Sequence, residues 1–131
     1  MTVFVDTSAL YTALDKEDER HERVADAFRG LADETLLTHN YVVAESAALI
    51  ERRLGKESAR HLITHLISPI EIVWIDESIH NTAASAYLAT GSRGPSLVDF
   101  TSFEVMRRRG ITHAFALDRD FADAGFDVFP R

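Results

Sequence analysis

Short apolar runs rich in β-branched and aromatic residues alternate along this chain with longer segments of helical spacing, and that alternation narrows the fold more than any other feature. Thr2-Val3-Phe4-Val5 reads as a buried strand. Thr35-Leu36-Leu37-Thr38, Ile70-Glu71-Ile72-Val73-Trp74-Ile75, His113-Ala114-Phe115-Ala116-Leu117 and Asp127-Val128-Phe129 read as further strands. Helical patterns lie between them. A short helix is expected from Ala9 to Leu14, and the charged run Asp15 to Arg20 reads as the solvated start of a second, stopped near Gly30. Asn40 is expected to cap a helix to about Arg53, followed by helices over Glu57–Ile67, Asp76–Leu88 and Ser96–Arg109, the last ended by Gly110. Alternation of this kind predicts right-handed crossovers and a central, mostly parallel sheet flanked by helices on both faces. The apolar density of residues 70–75 predicts a strand buried on both sides. A chain of 131 residues is expected to form one α/β domain over 1–131, burying roughly two-thirds of its unfolded surface.

With 46% hydrophobic and 27% charged residues, the chain has the balance of a globular domain and not of a disordered one. No stretch approaches the length needed to cross a bilayer, and the N-terminus lacks the basic and long apolar regions of a signal peptide. Without cysteine there is no disulfide and no thiolate metal site, so any metal must be held by oxygen or imidazole. A cytoplasmic protein is the simplest expectation. Fourteen Lys and Arg against 21 Asp and Glu leave a net charge of −7, unfavourable for a broad basic face on nucleic acid. A nuclease remains compatible with that total, because clustered acids that bind divalent cations supply part of it. The cations are nearly all arginine, Lys16 and Lys56 being the only lysines, and arginine suits bidentate phosphate contact.

Asp6 ends the first strand and Asp118 follows the fourth, so a parallel sheet brings both to the strand-end edge where functional groups collect. Asp6 could equally act as a helix cap, followed as it is by Thr7 and Ser8. Asp99 falls in the first turn of the helix that Ser96 begins, and Ser-x-x-Asp resembles a capping box, a role compatible with holding metal. Glu45 has Tyr41, Val42, Ala48 and Leu49 at helical distances, apolar company in which a carboxylate is costly to bury unless neutralised. Glu51 has similar neighbours, so spacing does not choose between the two, and an exposed Glu on a helix margin needs no explanation. Converging carboxylates raise one another's pKa, and a hard divalent ion such as Mg²⁺ or Mn²⁺ relieves the repulsion. Such a site can lower the pKa of water for in-line attack on a phosphodiester.

The segments Val5-Asp6-Thr7-Ser8-Ala9-Leu10, Val43-Ala44-Glu45, Ser96-Leu97-Val98-Asp99-Phe100 and Leu117-Asp118-Arg119-Asp120-Phe121 occur in this order over essentially the whole chain. Together they resemble the PIN domain and, more narrowly, the VapC toxins of bacterial VapBC toxin–antitoxin modules. The resemblance implies a Mg²⁺- or Mn²⁺-dependent endoribonuclease with Asp6, Glu45, Asp99 and Asp118 as its acidic quartet. It implies that Asp6, Asp99 and Asp118 bind the metal and that Thr7 or Ser8 supplies a supporting hydroxyl. It further implies a homodimer and a cognate VapB-like antitoxin whose C-terminal segment fills the acidic groove, often through an arginine. A basic peptide would be steered to a protein of this charge. One departure is Ala116, where the family commonly has Thr or Ser two residues before the fourth acid; Asp120 could support Asp118 instead.

Arg93, in the loop Gly91-Ser92-Arg93-Gly94-Pro95 just before the third acidic segment, is the preferred RNA phosphate contact. Arg107, Arg108 and Arg109 end a helix, where they complement its dipole or touch phosphate, and Arg52, Arg53 and Lys56 form a second basic group. His61 and His65 have a spacing that can bind zinc, with no third ligand nearby in sequence. Phe100, Phe103, Phe115, Phe121 and Trp74 are expected in the core. Phosphotransfer proteins of the receiver or haloacid-dehalogenase type also place an Asp after the first strand. The dehalogenase type wants a second Asp where Ser8 stands, and neither lysine lies near a late strand as both types require. A PIN-like scaffold that binds RNA or a partner without cutting, and a PIN nuclease of general RNA processing, remain the alternatives.

Overall fold

The structure, a computed structural model, describes residues 1–130. Its strands are β1 (Thr2–Val5), β2 (Thr35–His39), β3 (Glu71–Val73), β4 (His113–Phe115) and β5 (Asp127–Phe129). The helices are α1 (Thr7–Leu14), α2 (His21–Gly30), α3 (Asn40–Leu54), α4 (Lys56–His61), α5 (Glu77–Ala89), α6 (Leu97–Arg109) and α7 (Asp120–Asp123). A π-helical turn, Leu62–Leu66, prolongs α4. All five strands form one sheet in the order β3-β2-β1-β4-β5, and every pairing is parallel.

The order places β1 at the centre. The chain adds β2 and β3 on one side, then crosses back to add β4 and β5 on the other. The direction of winding therefore changes between β1 and β4, and a crevice beyond the strand ends is expected there. Both sheet faces are covered, since Val3, Phe4 and Val5 alternate in direction and all three are fully buried. Val5 is in register with Phe115, and Phe28 of α2 packs on Phe115 with ring centres 4.4 Å apart. On the opposite face Phe4 meets Phe121 of α7 at 5.9 Å, and Phe103 of α6 meets Phe121 at 5.0 Å. Each buried phenylalanine contributes about 1.5–3 kcal/mol relative to an exposed one. Gly110 closes α6 with φ 67°, a left-handed residue that lets Ile111 N–H bond Met106 O at 2.9 Å and turns the chain into β4.

Several local expectations are corrected. Residues 15–20 form a turn and not a helix start: the Asp18 carboxylate accepts both the backbone N–H (2.8 Å) and guanidinium of Arg20, so α2 begins at His21. The cap of α3 is His39, and Asn40 is the first helical residue, its Oδ1 accepting Ile75 N–H at 2.7 Å. The run 70–75 pairs only over Glu71–Val73 at the sheet edge, and Trp74, expected in the core, is 73% exposed. The strand at 113–117 ends at Phe115, and residues 120–123, to which the sequence pattern assigns no element, form the short α7. Phe103, Phe115 and Phe121 are core residues, with Phe100 packed against them. Among the described residues no helix is long and apolar enough to cross a membrane.

Candidate active site

The strand-end edge between β1 and β4 gathers the acids. Asp6 follows β1 directly, is 3% exposed, and caps α1. Its Oδ2 accepts the Ser8 backbone N–H at 3.2 Å and the Ser8 hydroxyl at 2.8 Å. The same hydroxyl oxygen accepts Leu117 N–H at 2.9 Å, beyond the end of β4. Ser8 thus clamps the first acid to the segment carrying the fourth. Asp6 N–H donates to Phe115 O at 3.0 Å, extending the sheet one residue past the regular strand. Ala116 is buried and offers no hydroxyl, and the tie to this segment comes from Ser8 instead. Cap and candidate ligand are compatible here, because both Ser8 bonds fall on Oδ2 and Oδ1 has no hydrogen-bond partner among the described residues.

Glu45 lies on α3, exposed, and its Oε1 accepts the Thr7 hydroxyl at 2.5 Å. Thr7 in turn accepts the Ser46 hydroxyl at 3.2 Å, with Thr7 and Ser46 both buried. This chain selects Glu45 over Glu51, which points to solvent further along α3. Asp99 and Ser96 form a reciprocal capping box: Ser96 N–H donates to Asp99 Oδ2 at 2.9 Å and Asp99 N–H to Ser96 Oγ at 3.1 Å. The helix dipole favours a carboxylate at that end. Asp118 is exposed and accepts Asp120 N–H at 3.2 Å.

The charges act on one another. Burial, opposed by the Ser8 bonds and reinforced by Asp118 and Asp99, pushes the Asp6 carboxyl up from 3.8 to about 7. Partial burial, with Asp99, Asp120 and Glu45 nearby, pushes Asp118 up to about 6. Asp99 is raised as well, by burial first and by Asp120 beyond it. All five carboxylates therefore share one electrostatic neighbourhood, and among the described residues no basic side chain is paired with any of them. Among the described residues no three such groups close tightly enough to form a finished metal cage. An all-oxygen set of mutually repelling carboxylates, one of them buried with a free oxygen, nevertheless has the chemistry that fits a hard divalent ion.

Arg93 is exposed in the loop before α6, beside a cavity of about 360 Å³ lined by Tyr87, Leu88 and Ser96, and makes no ion pair among the described residues. The C-terminal arginines of α6 are committed elsewhere. Arg108 binds Glu104 and Ser78, Arg109 binds Glu71, and Arg107 lies over Phe103 and Phe126 at 6.0 Å. His61 and His65 stack at 4.8 Å. Three supporting residues have no signature in the sequence pattern: Ser46, Thr38 and His39. Ser46 stands beside Glu45, whereas the partners of the other two come from elements distant in the chain.

A family model described as PIN domain matches residues 3–127. The chain belongs to the PIN-domain family. Within it, the chain is 31% identical over 125 residues, 95% of each protein, to the 23S rRNA-specific endonuclease VapC20 of Mycobacterium tuberculosis. It is thus a VapC-like PIN ribonuclease, and nucleases of this family are metal-dependent in general. The crystal structure of that VapC20, described as a sarcin–ricin loop cleaving toxin, matches with TM-score 0.87 at 30% identity over 95% of each chain. The fold is shared more distantly with FitAcB of Neisseria gonorrhoeae (TM-score 0.71, 19% identity, 99% of this chain and 97% of that one). It is shared likewise with VapBC2 of Rickettsia felis bound to promoter DNA (TM-score 0.72, 14% identity, 98% and 97%).

Proposed function

We propose that this PIN ribonuclease cuts structured ribosomal RNA with Mg²⁺ or Mn²⁺, acting in the cytoplasm as the toxin of a module whose antitoxin restrains it. The observation that carries the reading is the buried Asp6 carboxylate, raised to about 7 among like charges at the β1–β4 edge, where only a cation makes its ionised form comfortable. Asp6, Asp99 and Asp118 would hold the ion, with Asp120 supporting Asp118. When bound, a hard divalent ion offsets the carboxylate charge and supplies Lewis-acid activation of water and phosphodiester. Glu45, held at Oε1 by Thr7, keeps its other oxygen free to accept a proton from the attacking water. As the new P–O bond forms, the bond to the leaving ribose oxygen breaks and that oxygen takes up a proton. Arg93 would steady a phosphate at the groove margin.

Ribosomal RNA is favoured by the 31% identity to a 23S rRNA-specific endonuclease. An antitoxin with a basic, arginine-bearing segment suits the unpaired acids and the net charge of −7, and a homodimer fits the family habit. The test is cleavage of purified ribosomes and total RNA by metal-stripped protein, with and without Mn²⁺, beside Asp6→Asn. Discrete metal-dependent cuts in large-subunit RNA, absent with the variant, are expected. Cleavage that persists in chelator or in folded Asp6→Asn would refute the mechanism, and cuts confined to other RNAs would refute the substrate.

A further inference from the structure

His39 ends β2 and is fully buried, yet the reading above gives it no task. Its two ring nitrogens are spoken for in a way that fixes the tautomer. Val42 N–H donates to Nδ1 at 3.3 Å, so Nδ1 must present a lone pair and the ring proton sits on Nε2. Nε2–H then donates to Ser102 Oγ at 2.8 Å, and the Ser102 hydroxyl donates to Val98 O at 3.0 Å. Every proton in this relay has one direction. A filler residue at this buried position would need no polar atoms, and burying an imidazole with both nitrogens satisfied is the more demanding solution.

The ends of the relay lie beside the acids. Val42 is on α3, three residues before Glu45, and Val98 immediately precedes Asp99 on α6. The neighbouring Thr38 donates its hydroxyl to Val5 O at 2.8 Å, and Val5 immediately precedes Asp6. The dipeptide Thr38-His39 therefore reaches the backbone next to, or within one turn of, three of the four acids. Phe4 and Tyr41 hold the ring from two sides, with centres 5.6 Å and 5.9 Å away.

We propose that His39 is a positioning residue that, through Ser102, sets the first turn of α6 against the start of α3 and so fixes Asp99, which would hold the ion, relative to Glu45, which would take the proton. The inference rests on the metal-dependent reading above. Groups hydrogen-bonded directly to metal ligands change affinity by about 10–100-fold when lost, so a relay that ends on the backbone beside the ligands is expected at the lower end of that range. The test is calorimetric titration of the metal-stripped full chain with Mn²⁺ alone, comparing wild type, His39→Asn, Ser102→Ala and the double variant, each checked for folding by circular dichroism. His39→Asn keeps an acceptor for Val42 N–H but cannot span to Ser102; Ser102→Ala keeps the imidazole and breaks the relay at its middle.

About tenfold weaker Mn²⁺ binding is expected in each single variant, and no further loss in the double, because both remove the same connection. A change below threefold in the folded single variants, or losses that multiply in the double, would overturn the inference. Should His39→Asn fail to fold, Ser102→Ala alone decides by the same threefold threshold. A wild type that binds no Mn²⁺ overturns the metal-dependent reading and this inference with it. Wild-type binding that the variants leave unchanged overturns the inference alone.

Discussion

At the scale of single residues, Asp6 is where stability and activity oppose each other. Its carboxyl ionises near 3.8 in an unfolded chain and near 7 in the folded, metal-free protein. Between those values the folded state holds the extra proton, so stability is full below about pH 4, declines as pH rises through 7, and levels off above. The decline attributable to Asp6 is up to about 4 kcal/mol. Melting curves from pH 4 to 8 should show metal-free wild type losing more stability than Asp6→Asn, and added Mn²⁺ should close the gap. Equal pH profiles for wild type and variant would mean that Asp6 ionises without strain. Ser8→Ala removes one donor from Asp6 and strands Leu117 N–H, so a loss of about 1–3 kcal/mol in denaturant titrations is expected. Mn²⁺ affinity should fall by 10–100-fold in the same variant.

At the scale of elements, α6 carries Asp99 in its first turn and is closed by Gly110, about 16 Å away along the helix axis. An added Cβ at Gly110 meets nothing within 4 Å, so Gly110→Ala pays only for its left-handed backbone, about 1–2 kcal/mol. Thermal unfolding should register that loss while RNA cleavage stays unchanged. Trp74→Ala, at an exposed position after the edge strand, should change stability by less than about 0.5 kcal/mol in the same assay. What the sequence made legible follows a physical divide. Strands ending at Asp6 and near Asp118, the capping box of Ser96 and Asp99, and the strand–helix alternation are local patterns, and all are present. Whether residues 70–75 sit at the centre or edge of a sheet depends on which strands flank them, which no local run encodes. His39 was invisible for the same reason, since its hydrogen-bond partner Ser102 lies 63 residues away. The four residues of α7 are too few to display a helical period.

At the scale of the whole molecule, charge constrains how RNA is held. Arg20, Arg29, Arg60, Arg108 and Arg109 are each paired with an acid, which withdraws five cations from a chain already at −7. Binding that rests on six to ten phosphate contacts loses about 10³–10⁵ in affinity between 50 and 200 mM salt. The folded, inactive Asp6→Asn protein should lose less than tenfold over that range in a fluorescence-anisotropy titration with its RNA. A steep salt dependence would reveal a basic track that the paired arginines do not provide. The position of β1 at the centre of the sheet has a consequence in time as well as in space. One flank of that strand is completed by β2, soon after it in the chain, and the other by β4, more than a hundred residues later. Polypeptides emerge N-terminus first. Until residues 113–118 are made, the nascent chain therefore carries Asp6 and Glu45 without the strand that brings Leu117 and Asp118 alongside them. The acidic edge is thus assembled only after β4 has been made.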